Sequence, residues 1–260
     1  MDKNILKLIK AELKDDFKRR SFKTEGSWYI RLANSQVYQT VNFQGSVSGD
    51  KFCVNIYLRP ICSCNAFVKY SGYPIRLGSL AYDYDHWWDY SLDSVKEVTS
   101  LIRKIAFPIL DGCTTYRGML ETAKPAIEDE YNETPGVVRD KPADQVLFQI
   151  DGVDWIRLLI SLNEYEYCKF YINKKIRYYS NAIENNEEYE RMKAQTNDTV
   201  RLQRIELEME KHKNHYIKWR DIYKSYLEMV ESGDLSEFIK ETEENESKSL
   251  NALQKYIVNA

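Results

Sequence analysis

The strongest constraint on this chain is a nine-residue ladder near its C-terminus. Leu202, Ile205, Met209, His212, Tyr216, Trp219, Tyr223, Tyr226 and Val230 recur at alternating spacings of three and four. That period is the seam of a helix that must lie against another helix, because 3.6 residues per turn keeps such positions on one side. An earlier stripe, Leu158, Leu162, Tyr165, Ile172, Ile176, Tyr179 and Ile183, has the same character, and Gln195-Thr-Asn-Asp198 between them offers turn and N-cap chemistry. An antiparallel helical hairpin is therefore expected, with Gly233 ending its second arm and a further helix after Asp234. The alternative is pairing between two copies of the chain through the same seam.

The N-terminal half reads differently. Ile5, Leu6, Leu8, Ile9, Leu13 and Phe17 give one apolar face to an opening helix, capped by Asp2 or Asn4 and ending near Arg20. Three extended segments follow, Trp28–Leu32, Val37–Phe43 and Phe52–Leu58, separated by turn formers. They predict an antiparallel meander covered by helices on one side, with Val37, Gln39, Val41 and Phe43 sharing a face. Asn65 to Tyr73 is read as a further strand or a loop. Ser91 or Asp93 caps another helix carrying Val95, Val98, Leu101, Ile102 and Ile105, with Pro108 and Gly112 as its stops. The fold class is thus α+β, an antiparallel sheet packed with helices, followed by an all-α hairpin region. The expected division is an α+β domain over 1–123, a Pro-containing linker or surface connection over 124–142, and a helical region over 143–260.

Charge follows the same division. Residues 1–124 hold 18 basic against 13 acidic side chains, and the remainder 19 against 27, within a chain of net charge −3. An acidic second half argues against a dedicated nucleic-acid binder, which needs a basic face. The basic residues of the first helix, Lys7, Lys10, Lys14, Lys18, Arg19 and Arg20, are the local exception, read first as a solvated helix surface with cations near its C-terminal end. No run reaches the roughly 18 to 20 apolar residues that span a bilayer, and the first residues lack the apolar core of a signal peptide, so cytoplasmic residence and no membrane partner are expected. Five scattered cysteines, an odd number, point to reduced thiols, and Cys62-Ser-Cys64 lacks a second pair to complete a zinc site.

The chemistry-bearing segment is Arg76 to Asp89, where Asp83, Asp85, His86, Trp87, Trp88 and Asp89 crowd together. Carboxylates and imidazole suit a divalent cation or proton transfer, so Asp83, Asp85, His86 and Asp89 define the catalytic alternative, a metal-dependent hydrolase or nuclease. The reading preferred over it is a recognition surface in which Asp85, Trp87, Trp88 and Asp89 meet a partner, or a turn whose tryptophans plug the core. On the helical half, Tyr216, Trp219 and Tyr223 are the corresponding anchors. Twenty tyrosines, five of them between Tyr165 and Tyr179, exceed what one buried helix face absorbs. Glu208, His212 and His215 share a helical side, but His212 belongs to the seam, and a structural histidine is the favoured reading. No phosphate-binding glycine loop, zinc-protease pattern, nucleophile elbow or dinucleotide fingerprint is present. Neither a cofactor nor a bound metal is expected.

The segments Val41-Asn-Phe-Gln44, Gly49-Asp-Lys-Phe-Cys-Val-Asn55, Arg76-Leu-Gly78, Asp85-His-Trp-Trp88 and Ala106-Phe-Pro108 resemble, in this order, the bacterial domain of unknown function numbered 4304, over roughly residues 3–115. That family carries no agreed activity or catalytic residues. The resemblance implies a small bacterial cytoplasmic protein with a role in toxin neutralisation or phage defence, whose partner is a toxin or a defence component. The helical half lies outside it and is the expected source of partner specificity. A non-enzymatic interaction protein is the reading that follows.

Overall fold

A computed structural model describes residues 2–63, 75–82, 84–128, 152–185 and 187–257. Asp83, Cys64, the segment Asn65–Tyr73 and most of the expected linker lie outside the described residues. Helix α1 (Lys3–Arg19) begins where the Asp2 carboxylate accepts hydrogen bonds from the backbone N–H of Asn4 and Ile5, and it buries Ile5, Ile9, Leu13 and Phe17. Strands β1 (Lys23–Glu25), β2 (Trp28–Ala33), β3 (Val37–Gly45) and β4 (Lys51–Pro60) form an antiparallel meander, β1 being an addition to the three expected segments. Two short strands, β5 (Ile75–Arg76) and β6 (Trp88–Asp89), both pair with β4. Helix α2 (Leu77–Tyr82) lies between them.

Helix α3 (Leu92–Leu101) is capped by Ser91, whose hydroxyl accepts from the Ser94 N–H at 3.1 Å. It does not stop before Pro108. A π-helical turn (Ile102–Ala106) carries the chain into α4 (Phe107–Gly112), with the Phe107 N–H reaching back to the Ile102 carbonyl. Proline lacks an N–H and enters at the first positions of the new segment, where none is needed. Helix α5 (Tyr116–Glu128) follows.

One sheet face packs on α1 and α4. The Phe17 ring stacks on Tyr29 at 3.6 Å between centroids and meets Phe107 edge-on at 5.2 Å. On that face, Gln39 donates to the carbonyls of Leu110 and Cys113, both at 2.8 Å, and Arg31 donates to Leu110 at 3.1 Å. Two buried polar side chains of the sheet thus satisfy carbonyls that the end of α4 leaves open. The expectation of a single covered face is corrected by burial, since every residue from Val37 to Phe43 is enclosed. Segments from far along the chain belong to the same compact unit as the sheet. Helix α10 (Ser236–Leu253) and the 3₁₀ turn Gln254–Tyr256 after it return to the sheet, and Ile257 bridges Leu32 in parallel. Helix α6 (Gly152–Ser161) joins them, its buried Arg157 bonded to Thr242 at 3.1 Å and Glu241 at 2.8 Å. Tyr116 OH accepts from the Cys62 N–H and donates to Glu246, tying the turn after β4, α5 and α10 together.

These segments form one compact unit, in which residues up to Ala126 fold together with α6 and with the chain from Phe238 onward. The second unit is the hairpin. Helices α7 (Tyr165–Glu184) and α8 (Glu187–Ala194) run against α9 (Thr199–Ser232), which starts at the Asp198 cap and ends at Gly233 with φ +75°. Tyr179 meets Tyr223, Tyr189 meets His212 and Lys193 reaches Glu206, so positions descend on one arm as they ascend on the other. The seam predicted by the 3-4 spacing is therefore filled within the chain by the preceding arm.

Candidate functional site

The five segments that carry the family resemblance separate into a packed base and a polar cluster. The register pairs Asn42 with Asn55 and Gln44 with Cys53, which puts these four side chains on one side of β3 and β4. Asn55 pairs in turn with Arg76 of β5. Asn55 Nδ2 donates to Gln44 Oε1 at 2.8 Å, and Arg76 Nη1 reaches Cys53 Sγ at 3.5 Å and Asp85 Oδ1 at 3.2 Å. Asp85 Oδ2 accepts from the Trp87 indole N–H at 3.1 Å, while the Arg76 guanidinium lies over the Trp87 ring, 4.7 Å from its centroid. One carboxylate thus fixes both a cation and the aromatic face it rests on. With Asp85 more than half exposed, the ion pair adds at most about 1 kcal/mol to stability; its effect is on orientation.

The residues around this triad divide by burial. Trp88 is 2% exposed and lies beside Phe52 and His86, whereas Trp87 is half-buried and Tyr84 is 59% exposed. His86 sits between Tyr82 and Trp88, with Nδ1 at 3.2 Å from the Tyr84 hydroxyl. Tyr82 donates to Glu97, and that bond, with desolvation and the charge of Glu97, pushes its phenol up to about 12. Asp89 Oδ1 accepts from Ser94 Oγ at 2.5 Å, and hydrogen bonds from Ser91 and Ser94 hold its carboxyl below the usual carboxylate range. Burial pushes the Cys53 thiol up to about 11 against the pull of Arg76, so it is protonated and a poor nucleophile at neutral pH.

Of the residues named from the sequence as the acidic and imidazole cluster, Asp85, His86 and Asp89 are consequently sent to different partners. Asp85 binds Arg76 and Trp87, His86 packs between rings, and Asp89 braces the start of α3. Among the described residues no group of three His, Cys, Asp or Glu side chains is arranged to hold a metal ion. Trp88, expected to meet a partner, has its ring in the interior, because alternation along β6 turns it toward Phe52 while Asp89 faces outward. On the hairpin, Tyr223 is also interior at 2% exposed, stacked on Tyr179 at 5.7 Å. Tyr216 and Trp219 are half-buried beside it, and His215 packs edge-on against both. His212 bonds to the Tyr189 hydroxyl. Asn42, Gln44, Asn55 and Arg76 were not singled out as site residues by sequence reasoning. The signal was present in the shared parity of two Asn and a Gln on adjacent strands, where apolar residues are the norm.

Fold and cluster together define an α+β domain with a polar, aromatic-edged corner where β4, β5 and the loop before β6 meet. Residues 13–112 of this chain match the family model of a domain of unknown function, DUF4304, and the match takes in every residue of that corner. The remaining helices, α5 to α10, lie beyond it. No curated protein and no solved structure matches the chain. No helix among the described residues is long and apolar enough to cross a membrane.

Proposed function

We propose that this protein is a non-enzymatic interaction module that holds a partner protein against the corner formed by Arg76, Tyr84, Asp85 and Trp87. The observation that carries the reading is the pre-set Trp87 ring, half-exposed, fixed through its N–H by Asp85 and backed by Arg76. Tryptophan, tyrosine and arginine dominate binding energy at protein interfaces, and an anchor already held in place loses less conformational freedom on binding. The neighbouring Trp88 supplies the rigid base. On this reading the partner is a toxin or defence component, the setting that the family resemblance implies, and Tyr216 and Trp219 are a second contact on the hairpin.

The test is a comparison of variants in a complex recovered from the native host. Trp87→Ala and Arg76→Ala should each weaken the complex at least about tenfold while the melting transition stays within a few degrees of wild type. Unchanged affinity in both variants would discard the corner as the contact.

A further inference from the structure

Helix α1 carries a charge pattern that its fold does not need. Lys3, Lys7, Lys10, Lys14 and Lys18 recur at spacings of four, three, four and four, which at 100° per residue keeps them within a sector of about 80° over about 22 Å of helix. Lys10 is half-buried and donates to the Gly26 carbonyl at 2.5 Å, while the other four are exposed. Among the described residues none of those four forms an ion pair. The acids of α1 are committed elsewhere: Arg103 bonds Glu12 at 3.2 Å and Asp16 at 2.8 Å on the opposite flank, and Arg19 also takes Asp16. Asp15 lies about 100° round the helix from the middle of the stripe.

Local physics opposes this arrangement. Like charges three and four residues apart repel, and lysines in the first turns face the positive end of the helix dipole. The favourable effect of cations at a helix C-terminus explains Lys18 and Arg19 but not Lys3 and Lys7. Lys3, Lys7 and Lys14, exposed and without an ion pair among the described residues, mark a surface whose counter-charge comes from outside.

We infer that the lysine stripe of α1 is a second docking surface, distinct from the Trp87 corner, and that it takes an acidic α-helix of a partner protein. The charge is complementary, and the 3-4 spacing matches that of Glu or Asp along one side of a helix lying alongside, as in the flanking pairs of coiled coils. A nucleic acid fits less well, because the stripe carries no aromatic residue for a base to stack on and lysine makes no bidentate fork to phosphate.

The test uses the full chain and a fluorescein-labelled 21-residue helical peptide with glutamates along one face, read by anisotropy at low salt. Expected are binding of this peptide, at least about tenfold weaker binding by a Lys7→Glu/Lys14→Glu variant, and a further drop for wild type as salt is raised. A peptide of equal composition with its glutamates spread round the helix should bind at least about fivefold more weakly. Lys7→Gln/Lys14→Gln, which adds no new charge, should fall between wild type and the reversal. Trp87→Ala should leave peptide affinity unchanged, so that this inference and the corner fail independently. The inference is overturned by any of three results: no binding at low salt, affinity indifferent to both lysine variants or to glutamate placement, or tighter binding of a 20-base-pair duplex or of anionic vesicles.

Discussion

The backbone of His86 occupies the space that a side chain on Gly78 would need: a β-carbon there would lie 2.5 Å from the His86 carbonyl oxygen. This contact ties the Arg76-Leu-Gly78 and Asp85-His-Trp-Trp88 segments together and sets the height of the Trp87 corner above the sheet. Gly78→Ala should therefore destabilise the protein by about 1–3 kcal/mol, measured by denaturant unfolding, because backbone rather than a flexible side chain must move. A neutral Gly78→Ala would mean that α2 is free to shift.

The adjacent tryptophans should separate cleanly by stability. Trp88→Ala removes a ring that is 2% exposed and should lower unfolding free energy by about 3–5 kcal/mol, whereas Trp87→Ala should change it by under about 1 kcal/mol. Thermal melts of the two variants measure the contrast, and equal losses would mark both rings as core.

Asp16 links α1 to the π-helical turn. Partial desolvation raises its pKa, but hydrogen bonds and charge from Arg103 and Arg19 outweigh that and hold it below its ordinary value of 3.8. A carboxyl depressed in the folded state adds stability above its unfolded pKa, and this is lost as pH falls through the folded value. Arg103→Gln should thus lower stability near neutral pH by less than about 1 kcal/mol, since Arg103 is part exposed and screened, and the difference between the two proteins should shrink as pH falls through the folded value. Parallel stability curves from pH 7 to pH 2 would refute the linkage.

The described cysteines should be silent toward thiol reagents. Cys53, Cys62, Cys113 and Cys168 are buried free thiols, and burial pushes Cys53 and Cys113 up to about 11 and Cys168 up to about 12. In a Cys64→Ser variant at pH 8, a disulfide reagent should react only on the unfolding timescale. Rapid modification of one thiol in the native protein would contradict this.

Periodicity and capping act within a few residues, and what they control was legible in the sequence. The Asp2, Ser91 and Asp198 caps, the alternation of β2 to β4, the Gly233 stop and the α9 seam all depend on neighbours two to four positions away. Of the candidate site, the exposed Asp85 and Trp87 were legible, because a charge beside an aromatic residue restricts where the chain can put both. Trp88 and Tyr223 are interior and not exposed anchors: adjacent tryptophans on an extended segment take opposite sides, and within one seam depth depends on what the facing arm covers. Pro108 was read as a stop because a widened helical turn has no local signature.

By itself the sequence determined the longer helices, strands β2 to β4 and the class of the fold, since local sterics and hydrophobic period suffice for these. Only the tertiary structure decided that α6 and α10 join the compact unit of the sheet, that Tyr116 meets Glu246, and that Asn42, Asn55, Arg76 and Asp85 converge. Those contacts join residues from 9 to 130 positions apart, chosen by whichever packing buries the most apolar surface while leaving each enclosed polar group a partner.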